Sequence, residues 1–230
     1  MEENNNENDT EIFAKIISDF KMPIIHQIDA LKSFLDTSCL KMNEEEKELI
    51  ELTLNSCKIM HNFADIFLMV YKNAFENNNL EYEKFDFIAV LNEIVEDYTM
   101  LIKYYNLELE LKTPETLKVY ADKTKIKKIL ENLILNNIDT AFKNTKIIIE
   151  VLNKDTEIEF KIKSKSKHVK QNVINEIFTK NKKQNSLYQK PSKGLGLYVT
   201  NEVIKAHLGK TFAKSYTNDT NVFGFSIPTK

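Results

Sequence analysis

Glycine is nearly missing from this 230-residue chain: there are four, and all of them lie beyond Lys193. Long apolar runs are missing too. The longest, near Ala64–Tyr71, is too short and too interrupted to span a bilayer, so no membrane insertion is expected. Cysteine is scarce. Cys39 and Cys57 lack metal-like spacing and have no secretory signal ahead of them, which predicts a reduced, cytoplasmic setting. Nor does either sign of charge dominate. With 32 basic and 34 acidic side chains, a net charge of −2 and a pI near 6.2, the chain is not expected to bind nucleic acid. What is present, 42% hydrophobic and 29% charged residues, suits a foldable chain of one or two domains. Two of the four glycines share one turn, Lys193-Gly194-Leu195-Gly196-Leu197. Glycine permits positive φ and close approach of the backbone to a ligand. The apolar run from Leu197 to Leu208 reads as a helix, so the turn sits where free N–H groups favour phosphate.

Residues 1–11, rich in Asn and Glu, are expected to form a disordered tail. From Ile12 to Leu35, and again from Leu49 to Val70, apolar residues recur at nearly 3.5-residue spacing. These predict two amphipathic helices joined through Asp36–Asn43 as an antiparallel hairpin. Two such helices cover only part of each other's apolar stripe. A second hairpin would complete a four-helix bundle, so dimerisation through residues 12–75 is expected. The domain boundaries read as 12–79 for the hairpin and 80–230 for the remainder, with a polar break at Asn77-Asn78-Asn79. Beyond it come strand candidates at Leu80–Lys84, Leu107–Leu111 and Lys118–Ala121. Helices are expected at Asp86–Tyr105 and Lys123–Phe142. Lys146–Leu152 and Glu157–Ser164 read as a hairpin, and Thr211–Tyr216 and Asn221–Ile227 as the last strands. The fold class is therefore α+β: a helical hairpin followed by a sandwich with helices on one face of a mixed sheet.

Asn132 and Asn136, in Leu130-Glu131-Asn132-Leu133-Ile134-Leu135-Asn136, lie four apart and so share one helix face. An amide oxygen there is a hard neutral ligand suited to Mg²⁺. With Ile177-Phe178 after a short helix, Gly194-Leu195-Gly196-Leu197, and the turn at His207-Leu208-Gly209, this order resembles the transmitter core of sensor histidine kinases. That core joins a dimerisation and phosphoacceptor hairpin to an ATPase domain of the GHKL type. The resemblance runs from about Phe13 to Pro228. It implies that Asn132 and Asn136 form the family's N box, with a small residue expected next, and that Asn136 holds Mg²⁺. It also implies that Gly194, Leu195, Gly196 and Leu197 form the glycine box of a Mg-ATP site. Residues 179–193 take the place of the ATP lid, where five lysines, Lys190 and Lys193 among them, could meet phosphate.

Three departures bear on activity. The family's phosphoacceptor histidine falls on Ser18, in Ser18-Asp19-Phe20-Lys21-Met22-Pro23. A hydroxyl lacks imidazole's basicity, and Asp19 is a weak activator for it. His26 would lie about 80° round the helix and about 12 Å further along, beyond a helix-interrupting Pro23. The aspartate that accepts a hydrogen bond from adenine falls on Ser164, in Ser164-Lys165-Ser166-Lys167-His168. Its loss should cost about 1.5–3 kcal/mol, with Ser166 and His168 narrowing the pocket. Met22 stands where the family places a polar residue that orients water for dephosphorylation. The expectation is a degenerate kinase acting as a scaffold, pairing with itself or with a true kinase and docking a response regulator receiver domain. Input would come by partner, by weakened nucleotide binding or by the tail. The alternative is an ATP-dependent kinase acting on a partner's histidine, or phosphotransfer through His26.

Overall fold

The computed structural model describes residues 2–36, 42–73, 80–154, 156–179 and 195–229. The chain divides into two compact units, Met1–Asn77 and Asn78–Lys230.

The first unit holds two long helices, α1 (Glu2–Asp36) and α2 (Glu44–Asn73), which pack on each other. Their pairing is antiparallel: Lys21 reaches Asp65 at 2.5 Å while Gln27 accepts a bond from the Cys57 thiol at 3.7 Å, so the numbers climb on one helix as they fall on the other. A reciprocal capping box starts α2. The Asn43 side chain accepts from Glu46 N–H, and the Glu46 carboxylate accepts from Asn43 N–H, both at 2.9 Å. Glu44, Glu45 and Glu46 in the first turn also favour the positive end of the helix dipole. Two expectations are corrected. Helix α1 begins at Glu2, so residues expected as a disordered tail have helical backbone; extending an existing helix adds one hydrogen bond per residue fixed, which nucleation does not. Pro23 lies inside α1 without interrupting it. Its ring removes one backbone bond, and packing along α2 holds the rest of the helix in register.

The second unit is an α+β sandwich. Its sheet has the order β2 (Glu108–Lys112), β4 (Lys146–Asn153), β5 (Glu157–Lys165), β7 (Thr220–Pro228), β6 (Lys210–Ser215). The β2/β4 pair is parallel and the other pairs antiparallel, so the sheet is mixed, as expected. A small antiparallel pair, β1 (Glu83–Asp86) with β3 (Lys118–Ala121), stands apart from it. Alternation along β5 buries Ile158, Phe160, Ile162 and Ser164 on one face. That face meets α5 (Lys123–Thr140), while the short α6 (Gln171–Glu176) packs on β6 and α7 (Leu195–Ala206) packs on α5 and β7; Phe160 stacks on Phe225 in the core between.

The helix expected over Asp86–Tyr105 is two, α3 (Phe87–Asp97) and α4 (Thr99–Tyr104), broken at Tyr98. The break keeps Tyr98 buried and lets α4 lay Leu101 and Ile102 over β2. Asp86 caps α3 and also accepts from Leu117 N–H at 3.1 Å, a bond that holds its carboxyl below the ordinary value. Asp122 caps α5. Burial alone would raise its pKa, but bonds from the Lys125 backbone and ammonium and from Glu81 N–H pull it down overall.

Left-handed backbone falls on Asn106, Asn144, Leu208 and Asp219, and on none of the described glycines. The expectation that glycine serves positive φ here is therefore corrected for Gly196. Asn106 and Leu208 each close a helix through paired bonds to carbonyls five and three residues back. Asn106 N–H meets Lys103 O and Leu107 N–H meets Ile102 O, while Leu208 N–H meets Lys205 O and Gly209 N–H meets Ile204 O. Asparagine tolerates this conformation through its short polar side chain, which explains how a glycine-poor chain still turns.

Candidate functional site

The N-terminal turn of α7 lies against the middle of α5, and the contact is close enough to dictate a residue. A Cβ on Gly196 would stand 2.1 Å from Asn132 Oδ1. Glycine is needed here for space. Asn132 Nδ2 donates to Thr200 Oγ1 at 3.1 Å, and Thr200 donates on to Gly196 O at 2.9 Å, so the buried amide is anchored into α7. One turn along α5, Asn136 Nδ2 donates to Asn132 Oδ1 at 3.2 Å. With its amino group turned to Asn132, the half-buried Asn136 offers its carbonyl oxygen as the remaining acceptor. Asn132, Asn136 and Gly196 are thus brought together, with Leu195 in the same first turn of α7 and Leu197 buried beneath it. Lys190, Lys193 and Gly194 lie outside the described residues, as do Lys180, Lys182 and Lys183.

The residues present fit a nucleotide-held Mg²⁺. No cluster of three or more His, Cys, Asp or Glu side chains able to hold a metal occurs among the described residues. A single amide oxygen beside helix N–H groups instead suits an ion that keeps its waters and phosphate ligands.

The other end of the covered sheet face is polar and closed on itself. Ser164 is 1% exposed, and its hydroxyl donates to Asn137 Oδ1 at 2.7 Å. Asn137 in turn donates to Leu133 O at 2.9 Å. Sequence reasoning missed Asn137, although it occupies the place where the N box calls for a small residue. It also missed Thr200, and Asn221 directly opposite Ser164 on β7. Asn221 donates to Ser166 Oγ at 2.7 Å and to Lys167 O at 3.0 Å. His168 is exposed, with Nδ1 3.0 Å from Ser215 Oγ and 3.1 Å from Tyr216 O. At the far end of α7, His207 is buried between Asp122 N–H, received on Nε2 at 3.1 Å, and Val203 O, 2.8 Å from Nδ1; burial lowers its pKa.

In the helical unit, Ser18, Asp19 and His26 are all exposed on the unbroken α1, as are Phe20 and Met22. His61, the other histidine of the hairpin, lies 3.4 Å from Asp65 on its own helix.

Residues 121–230 match the model of the histidine kinase-, DNA gyrase B- and HSP90-like ATPase family. Over nearly its whole length the chain shares the fold of solved histidine kinases, a helical hairpin followed by an α+β unit. It is 24% identical over 173 residues to an adaptive-response sensory kinase, SasA, of Microcystis aeruginosa, covering 74% of this chain and 45% of that protein. Among solved structures, the catalytic domain of histidine kinase ThkA aligns at 26% identity and a TM-score of 0.58, covering 65% of this chain and 96% of ThkA's. ThkA in complex with the response regulator TrrA aligns at 22% identity and a TM-score of 0.61, over 100% of this chain and 65% of that one. The chain spans about half the length of the curated relatives it matches. No helix among the described residues is long and apolar enough to cross a membrane.

Proposed function

We propose that this chain works in two-component signalling as a degenerate kinase core: a dimeric scaffold that docks a response regulator receiver domain or pairs with a genuine histidine kinase. One observation carries the reading. The acceptor position of the family is filled by Ser18, exposed on a regular helix with Asp19 and without an imidazole in the same turn. The exposed Phe20 and Leu49, at 69% and 66%, leave the hairpin with apolar surface that a second hairpin would cover. The solved ThkA–TrrA complex supports a receiver-domain partner by analogy of fold.

The base-reading end supports impaired nucleotide use, because Ser164 directs its hydroxyl into Asn137. A second reading draws on the opposite end. The Asn136–Asn132–Thr200–Gly196 chain supports retained, weakened Mg-ATP binding, with transfer to a histidine on a partner or to His26. Incubation with radiolabelled ATP separates the two. The scaffold reading expects no acid-labile phosphoryl group on the chain itself, and a Ser18→His variant that gains one only if the ATPase unit is competent. Acid-labile label on the unaltered chain would overturn it.

A further inference from the structure

Polar side chains at the inner end of a core strand call for partners, and three of them here can be accounted for bond by bond. Along β5 the buried positions run Ile158, Phe160, Ile162, and then turn polar at Ser164, and at Ser166 just past the strand. Ser164 pairs directly with Asn221 across the β5/β7 ladder, which puts both side chains on the same face. The Ser164 hydroxyl has one proton, and it goes to Asn137 Oδ1 at 2.7 Å. Asn221 donates its amino group three ways, to Ser166 O at 3.3 Å, Ser166 Oγ at 2.7 Å and Lys167 O at 3.0 Å. Those bonds fix the orientation of its amide. Its Oδ1 is then left buried, on a residue 1% exposed, with no donor among the described residues. A buried acceptor without a donor is costly in an unliganded protein, and a ligand that brings an N–H removes that cost.

We infer that Asn221 has taken over from position 164 as the residue that reads the base: its Oδ1 accepts the exocyclic amine of an adenine nucleotide. This rests on the nucleotide-binding reading above, which places the base beside Ser164. A neutral amide oxygen is a weaker acceptor than a carboxylate, so the preference for the amine is modest. Replacing that amine by a carbonyl oxygen, as in ITP, sets two acceptors against each other.

The test is calorimetric titration of the full chain with Mg-ATP and Mg-ITP. ATP should bind about tenfold more tightly than ITP. Asn221→Leu should bring the ratio to about one; where that variant fails to fold, the ratio in the unaltered protein decides. Equal affinity for ATP and ITP in the unaltered protein, or a preference kept in Asn221→Leu, would overturn the inference while leaving nucleotide binding intact. Absence of binding by both nucleotides would overturn the inference together with the nucleotide reading it rests on.

Discussion

The two ends of the candidate nucleotide site are built differently. At the metal end, α5 and α7 interlock so tightly that Asn132, Thr200 and Gly196 constrain one another. A change at any of them disturbs the packing of the fold as well as a ligand. At the base end, Ser164 on β5 bonds Asn137 on α5, and Asn221 on β7 bonds Ser166, through side chains alone.

The sharpest way to break this comparison is Gly196→Ala. The new methyl meets Asn132 Oδ1, so Asn132 must swing away and abandon Thr200. We expect about 1–3 kcal/mol of lost stability in urea melts and no measurable nucleotide binding. Normal stability would mean the two helices are not interlocked. Next comes the double variant Asn137→Ala/Ser164→Asp, which clears the internal bond and supplies a carboxylate. Mg-ATP affinity should rise about 10- to 100-fold, whereas Ser164→Asp alone gains less because Asn137 Oδ1 would face another acceptor. Asn136→Ala should lower Mg-ATP affinity about tenfold and leave the melting curve nearly unchanged, since its side chain is half-buried and makes one amide bond.

Acidity sharpens the comparison from outside the site. His207 is held neutral by burial, so its folded pKa lies below the unfolded value of about 6.5. The unfolded chain then takes up a proton that the folded chain refuses. Stability should be full above that value and fall as pH drops below it, and His207→Gln should flatten urea midpoints measured across that window. The smallest effect is expected at Leu208, 69% exposed and left-handed at the end of α7. Leu208→Gly relieves about 1 kcal/mol of backbone strain and should raise the melting temperature without altering nucleotide affinity.

Much of this was legible in the chain. Alternation set the β4/β5 hairpin, and the i, i+4 spacing put Asn132 and Asn136 on one face. The break at Tyr98 was not legible, because the apolar period continues across it and only burial of the ring reveals the turn. Pro23 reads as a stop signal locally and is overridden by packing. The sequence reads Gly196 as serving positive φ and close approach to a ligand, whereas its neighbour on α5, 64 positions earlier, is what demands the missing side chain. Asn137 could have been noticed as an amide where a small residue belongs. Asn221 could not, because its importance depends on strand register.

Pro23 leaves one more consequence. With no N–H to offer, it deprives the Asp19 carbonyl, four residues back, of its rung in the α1 ladder. The turn that carries Ser18, Asp19 and Met22 thus lacks one rung of the ladder, and a twist applied along α1 is expected to be absorbed there more readily than in the turns beside it. Amide hydrogen exchange should register it as a local dip in protection centred on that turn.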